Sequence, residues 1–294
     1  MKISNHDGGA LCGGRRFEIS TVPNGASPYI ELSADGVEGH FLLDYGATRS
    51  SLSAARFTAS DGAVRRAAIS LPGFEKGDFD LSRYDLMLQP EKGQLGVIGA
   101  DFLSQLSVQL TGRAAYLGPQ PCRPEALRAR GLVPIAESGF FSSDPSKIGR
   151  GLPNVPVVFL RLGEVRTWAQ IDTGYNDIVY KHSVDINEAL YDRLIESGAK
   201  LQRGADLRVW TCEGPETRRV YTANDYPLAI ETDEAKPIVE TKLFHLIVKS
   251  ANGCGGIGAM TEPAAQLGAS FLQMFGTVVF DPKSGTVWLE GAAR

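Results

Sequence analysis

The chain has 294 residues, 43% of them hydrophobic, and a formal net charge of −4. That length and apolar content can fill a sizeable core, while Lys and Arg are scattered rather than clustered, which argues against nucleic acid or an anionic membrane surface as a partner. No apolar run approaches the roughly 20 residues that cross a bilayer as a helix, and the opening "MKISNHDGGALCGGRRFEIS" lacks the apolar centre of a signal peptide.

The first predicted element is a hairpin. "PYIELSADGVEGHFLLD", residues 28 to 44, reads as an alternating strand, a turn at Ala34-Asp35-Gly36 and a second strand that ends in Asp44. Tyr45-Gly46-Ala47-Thr48 follows. Further on, "VIGADFLSQLSVQLTGRAAYLG" (97 to 118) carries apolar-Gly-Ala-x-Phe-Leu, then a strand, a Gly turn and another strand. The next segment, 119 to 152, is rich in Pro, Gly and Ser and reads as a linker with a short helix around Pro124 to Arg130.

A second hairpin, "PVVFLRLGEVRTWAQID" (156 to 172), turns at Gly163-Glu164 and ends in Asp172, followed by Thr173-Gly174-Tyr175-Asn176. "SVDINEALYDRLIESGAK" predicts a surface helix from the spacing of Ile186, Leu190 and Leu194, with Ser183 or Asp185 as its cap and Gly198 at its end. "LRVWTCEGPETRRVYTA" reads as a hairpin turning at Glu213-Gly214-Pro215-Glu216. Finally "QLGASFLQMFGTVVFDPKSGTVWLEG" (266 to 291) repeats the apolar-Gly-Ala-x-Phe-Leu pattern and its two strands.

Two motifs occurring twice in the same order mark an internal duplication. The offset between copies grows from 128 residues at the Asp to 169 at the glycine, so the second copy holds about 41 extra residues. The predicted organisation is an N-terminal unit at 18–118, a linker at 119–152 and a C-terminal unit at 153–294.

Cys12 and Cys122 bracket the first half and Cys212 and Cys254 lie in the second, a distribution that suits two disulfides or, alternatively, four unpaired thiols. The disulfide reading leans toward an exported, periplasmic setting. No CxxC spacing and no grouping of His6, His40, His182 and His245 suggests a metal site. "GCGGIG" at 253 to 258 fits a dinucleotide fingerprint with Asp281 as its acidic residue, but Pro263 interrupts the required helix and no βαβ units surround it. It is read as a Gly-rich loop, and no cofactor is expected.

Two carboxylates delivered by related hairpins fit one kind of hydrolysis. If the tips meet, the pair shares one proton: the ionised member takes a proton from water and the protonated member polarises a carbonyl. Gly46 and Gly174 then let each loop turn tightly where a β-carbon would obstruct it.

These motifs resemble those of the pepsin and retropepsin aspartic protease superfamily, in outline over nearly the whole chain. The resemblance implies a mostly β, bilobal pepsin-like fold of two pseudo-symmetric barrel-like lobes, with no metal or cofactor. It implies an endopeptidase acting on peptide or protein substrates through Asp44 and Asp172. It also implies supporting roles for Tyr45, Gly46, Thr48, Thr173, Gly174 and Asn176, and a flap over the cleft with Tyr84 and Trp210 as candidates, the segment Leu71–Tyr84 being the first-half candidate. Because one chain holds both Asp residues, a monomer is expected. Tyr45 departs from the family, which has a small Thr or Ser there; Thr173 matches it. That departure keeps open an alternative, a catalytically impaired pseudoprotease that binds peptides in the same cleft.

Overall fold

The computed structural model describes residues 9–20, 25–53, 65–70, 77–84, 94–135, 139–140, 155–177, 179–180, 182–211, 213–232, 236–251 and 256–290; of 65–70, 77–84, 139–140, 210 and 239–240 it describes the backbone alone. The chain is predominantly β, as expected, with several sheets and few helices.

From the N-terminus, β1 (Arg15–Glu18) precedes the hairpin of β2 (Tyr29–Ala34) and β3 (Val37–Leu43). Its turn is Asp35-Gly36, with φ of 48° and 79°, the positive values that a two-residue hairpin with native twist requires. β4 (Ser51–Ser53), β5 (Arg65–Ser70), β6 (Gly77–Tyr84) and β7 (Gly96–Ile98) follow. Next come the one-turn helix α1 (Ala100–Leu103) and the hairpin of β8 (Ser107–Thr111) and β9 (Ala114–Gly118). Strands β2 to β7 close into a barrel in the order β2-β3-β7-β4-β6-β5.

Helix α2 (Pro124–Ala129) forms where the short helix was predicted, with Pro124 in its first turn, and leads to β10 (Leu132–Pro134) and β11 (Gly139–Phe140). The second copy begins with the hairpin of β12 (Pro156–Leu162) and β13 (Val165–Asp172). It continues through β14 (Ser183–Asn187), α3 (Glu188–Glu196), β15 (Leu201–Arg203), β16 (Leu207–Thr211), β17 (Gly214–Glu231) and β18 (Pro237–Lys249). It ends with β19 (Ala264–Gly268), the one-turn α4 (Ala269–Leu272), β20 (Thr277–Asp281) and β21 (Thr286–Glu290). Strands β11 to β19 build one large sheet, in which β13 and β14 flank β19.

A six-stranded sheet, β1-β9-β8-β20-β21-β10, joins the halves, since β8 of the first copy pairs with β20 of the second. The main core runs continuously through all three assemblies, from Ile30 and Phe41 to Val184, Leu246 and Phe280. A disulfide, Cys12–Cys122, closes the N-terminal segment onto the start of the inter-copy region. It is buried with Leu127, Leu132, Val279 and Trp288. Cys212 and Cys254 lie outside the described residues.

Two local expectations are corrected. The predicted helix starts later, at Glu188, with the Asn187 side chain accepting from the Leu190 N–H at 3.0 Å as its cap. Ser183–Asn187 is instead a fully buried strand wedged between β18 and β19, where pairing on both edges outweighs helical periodicity. The β16–β17 hairpin pairs Thr211 with Gly214, so its turn precedes the predicted one.

Candidate functional site

Each candidate carboxylate sits at the end of a strand held by a parallel neighbour. β3 runs alongside β7, with Leu43 opposite Ile98, and the Asp44 N–H donates to the Ile98 carbonyl at 2.9 Å. β13 runs alongside β19, with Asp172 opposite Gly268. The loops are then pinned in the same way: Ala100 N–H donates to the Ala47 carbonyl at 2.7 Å, and Ala269 N–H donates to the Tyr175 carbonyl at 2.7 Å. Ala47 and Tyr175 each stand three residues after an Asp, so the duplication read in the sequence is repeated at the level of single hydrogen bonds.

The two carboxylates come together. Asp44 Oδ1 accepts from the Gly46, Ala47 and Gly174 N–H groups at 2.7, 3.2 and 3.1 Å. Asp172 Oδ1 accepts from Gly174 and Tyr175 at 3.0 and 2.9 Å, and its Oδ2 accepts from Gln266 Nε2 at 2.8 Å. The Gly174 N–H therefore reaches both acids. A β-carbon at Gly46 would lie 2.2 Å from Asp172 Cγ, and one at Gly174 would lie 2.3 Å from Asp44 Cγ, so each glycine leaves the space that the other copy's carboxylate fills. Burial, followed by the charge of Asp172, holds the Asp44 carboxyl well above the usual range, against the pull of the Gly46 and Ala47 N–H groups. With the two acids placed together, the charge on one disfavours ionisation of the other.

The loops are tied asymmetrically. Thr173 Oγ1 donates to the Leu43 carbonyl at 2.7 Å and accepts from the Tyr45 N–H at 3.0 Å, fastening the second loop to the first. The phenol of Tyr45 cannot return the tie. It turns away from the carboxylates into the core, 1% exposed, with its ring centroid 4.4 Å from that of Phe280 on β20. Burial and the nearby Asp281 raise its pKa well above that of a free phenol. The departure from a small hydroxyl residue is thus absorbed by packing against the joining sheet rather than by blocking the pair.

Thr48 is exposed, and among the described residues it makes no hydrogen bond to Asp44. Asn176 Oδ1 accepts from the Ala26 N–H at 3.1 Å, anchoring the segment before β2 rather than a carboxylate. Tyr84 is placed by backbone pairing of β6 with Ser53, and Trp210 by pairing with Pro215; both side chains lie outside the described set. The loop segments 71–76 and 253–255 also fall outside it.

Two residues near the pair were not singled out in the sequence. Tyr29, buried on β2, has its phenol pKa raised by burial and then by the charge of Asp44. Gln266 bonds Asp172 directly, and the signal for it was present: aligning Val97-Ile98-Gly99 with Gln266-Leu267-Gly268 places a polar residue opposite a valine. Behind Gln266, Asp185 occupies the opposing position on β14, and its Oδ2 accepts from Arg218 Nη1 at 3.1 Å. Among the described residues no group of three or more His, Cys, Asp or Glu is arranged to hold a metal ion.

No family model matches the chain, and no curated protein does. Solved structures do. Conglutin gamma, a basic 7S globulin from lupine seeds, is 11% identical with a TM-score of 0.51, covering 94% of each chain. A structure described as EDGP is 9% identical with a TM-score of 0.53, covering 96% of this chain and 95% of its own. Basic 7S globulin from soybean is 12% identical with a TM-score of 0.50, covering 96% of each. At such identity the likeness concerns the fold alone. It overturns the sequence-based assignment to the pepsin and retropepsin proteases, since the full-length likeness runs to seed globulins and EDGP. The physical reason is that hairpin-Asp-x-Gly followed by apolar-Gly-Ala-x-Phe-Leu specifies how strands and loops pack, and packing of that kind does not by itself identify a protease.

Proposed function

We propose that the protein hydrolyses peptide bonds, using Asp44 and Asp172 as a general acid–base pair. The observation that carries this reading is the Gly174 N–H, which lies 3.1 Å from an Asp44 oxygen and 3.0 Å from an Asp172 oxygen. Burying two acids together costs stability, so their retention on matched loops favours a chemical use over a structural one. In this reading the ionised member removes a proton from water as its oxygen attacks the amide carbon, and the protonated member gives its proton to the carbonyl oxygen. The tetrahedral diol then collapses: the C–N bond breaks, the leaving nitrogen takes up the proton gained from water, and a diol hydroxyl proton returns to the acid.

The first-half barrel and the second-half sheet would flank an extended peptide, with the β5–β6 and β16–β17 hairpins as candidates to close over it. A single copy suffices, because both acids belong to one chain. The test is incubation with an unfolded-protein substrate and a mixed peptide library from acidic to neutral pH, alongside Asp44→Asn and Asp172→Asn. Cleavage lost in both variants supports the reading; cleavage surviving either contradicts it. Saturable peptide binding without products would identify a binding protein instead.

A further inference from the structure

Gln266 breaks the symmetry of the site. β7 and β19 are equivalent strands: Leu42 stands opposite Val97 in one copy and Gln170 opposite Gln266 in the other. The first copy is apolar at both positions and the second is polar at both. Gln266 is 3% exposed on a strand whose other residues, Ala264, Ala265, Leu267 and Gly268, are all buried, where an amide is costly unless its hydrogen bonds are made. Among the described residues it makes one, from Nε2 to Asp172 Oδ2 at 2.8 Å. The Oδ2 of Asp44 receives no N–H among the described residues, as all three donors to that side chain converge on its Oδ1.

This asymmetry bears on which acid holds the proton. An ionised carboxylate only accepts, so it demands the NH2 end of the amide; a protonated Asp172 would donate from Oδ2 and require the amide to turn over. The amide orientation and the protonation state are therefore one choice. The direction of the amide matches the four backbone N–H donors around Asp172 and Asp44 Oδ1, Gly46, Ala47, Gly174 and Tyr175, which leave Asp44 Oδ2 without an N–H donor among the described residues.

We propose that Gln266 is a positioning residue that fixes Asp172 as the ionised member of the pair and leaves the shared proton on Asp44. Asp172 then takes the proton from water and Asp44 protonates the carbonyl oxygen. This assignment of roles rests on the hydrolytic reading, but the protonation asymmetry itself does not.

The experiment separates the two. Asp carboxyl carbons are followed by 13C NMR against pH in the wild type, in Gln266→Met, which keeps the shape without a donor, and in Gln266→Glu, which replaces the donor with an acid. Loss of one hydrogen bond to a charged group predicts an Asp172 midpoint about one pH unit higher in Gln266→Met, and a rise at least as large in Gln266→Glu. If either folded variant leaves the Asp172 midpoint where the wild type has it, Gln266 is a structural residue and the proposal fails. On the peptide cleaved best, kcat is expected to fall about tenfold with little change in KM, and the acid limb of the kcat/KM profile to move up with the Asp172 midpoint. A wild type that cleaves nothing removes the hydrolytic reading alone, and the titration still decides the role of Gln266.

Discussion

Gly46 and Asp172 share one space: a β-carbon on the glycine would lie 2.2 Å from the carboxyl carbon of the acid contributed by the other copy. The reciprocal contact of Gly174 with Asp44 means that the closeness of the acids depends on two missing side chains. Gly46→Ala and Gly174→Ala are each expected to push the facing carboxylate aside. Overpacking of this kind costs about 1–3 kcal/mol of stability. A displacement of about 1 Å at the reacting groups lowers turnover about 100-fold. Urea unfolding and peptide cleavage, measured on the same preparations, check both effects.

Thr173 and Tyr45 occupy equivalent positions with different tasks. Thr173→Val keeps the shape but removes the bonds to Leu43 and Tyr45, leaving a buried carbonyl and N–H unmet, with an expected loss of about 2 kcal/mol. Thr173→Ser should retain most of that stability. Tyr45→Thr restores a small hydroxyl residue yet removes the ring packed on Phe280, and the resulting cavity is expected to cost about 3 kcal/mol. A more stable Tyr45→Thr protein would show that the ring is not part of the core.

Asp185 supplies a pH dependence. Burial lifts its pKa from 3.8 to about 6, against the opposing pull of Arg218 and Lys249. Its folded pKa lies above the unfolded value, so between these two values the folded state binds more protons. Stability therefore falls as pH rises through that window, by about 3 kcal/mol in all. Asp185→Asn should flatten this part of the stability profile, read from urea midpoints at closely spaced pH values. An unchanged slope would assign the dependence to other groups.

Cys12 and Cys122 are 110 residues apart, so their bond restricts a long stretch of the unfolded chain. Replacing both by Ala is expected to lower stability by about 2–5 kcal/mol. Thermal unfolding of the double variant, with the wild type measured in the presence and absence of reductant, tests this.

The parts of the site written as local patterns were legible in the sequence. Both hairpins, their closing Asp residues and the glycines beyond them are each specified within a few residues, and the duplication exposed their pairing. Gln266 was legible only as a polar residue aligned with a valine of the other copy, and its partner, like the Asp185–Arg218 pair, was not, because such contacts depend on register between strands far apart in the chain. β14 shows the same limit: Ile186 and Leu190 have helical spacing, but two neighbouring strands capture Ser183–Asn187 before the helix can begin. Tyr45 looked like damage to a loop because its partner, Phe280, lies in the other copy. The assignment to the pepsin and retropepsin family did not stand because the motifs behind it encode strand packing.

The central claim is that Asp44 and Asp172 hold one proton between them. Following the Asp44 carboxyl carbon by 13C NMR against pH, in the wild type and in Asp172→Asn, tests it most directly. The account predicts that wild-type Asp44 stays protonated well above the ordinary carboxylate range and that its midpoint falls when the Asp172 charge is removed. An Asp44 that titrates in the ordinary range, with the same midpoint in both proteins, would contradict it.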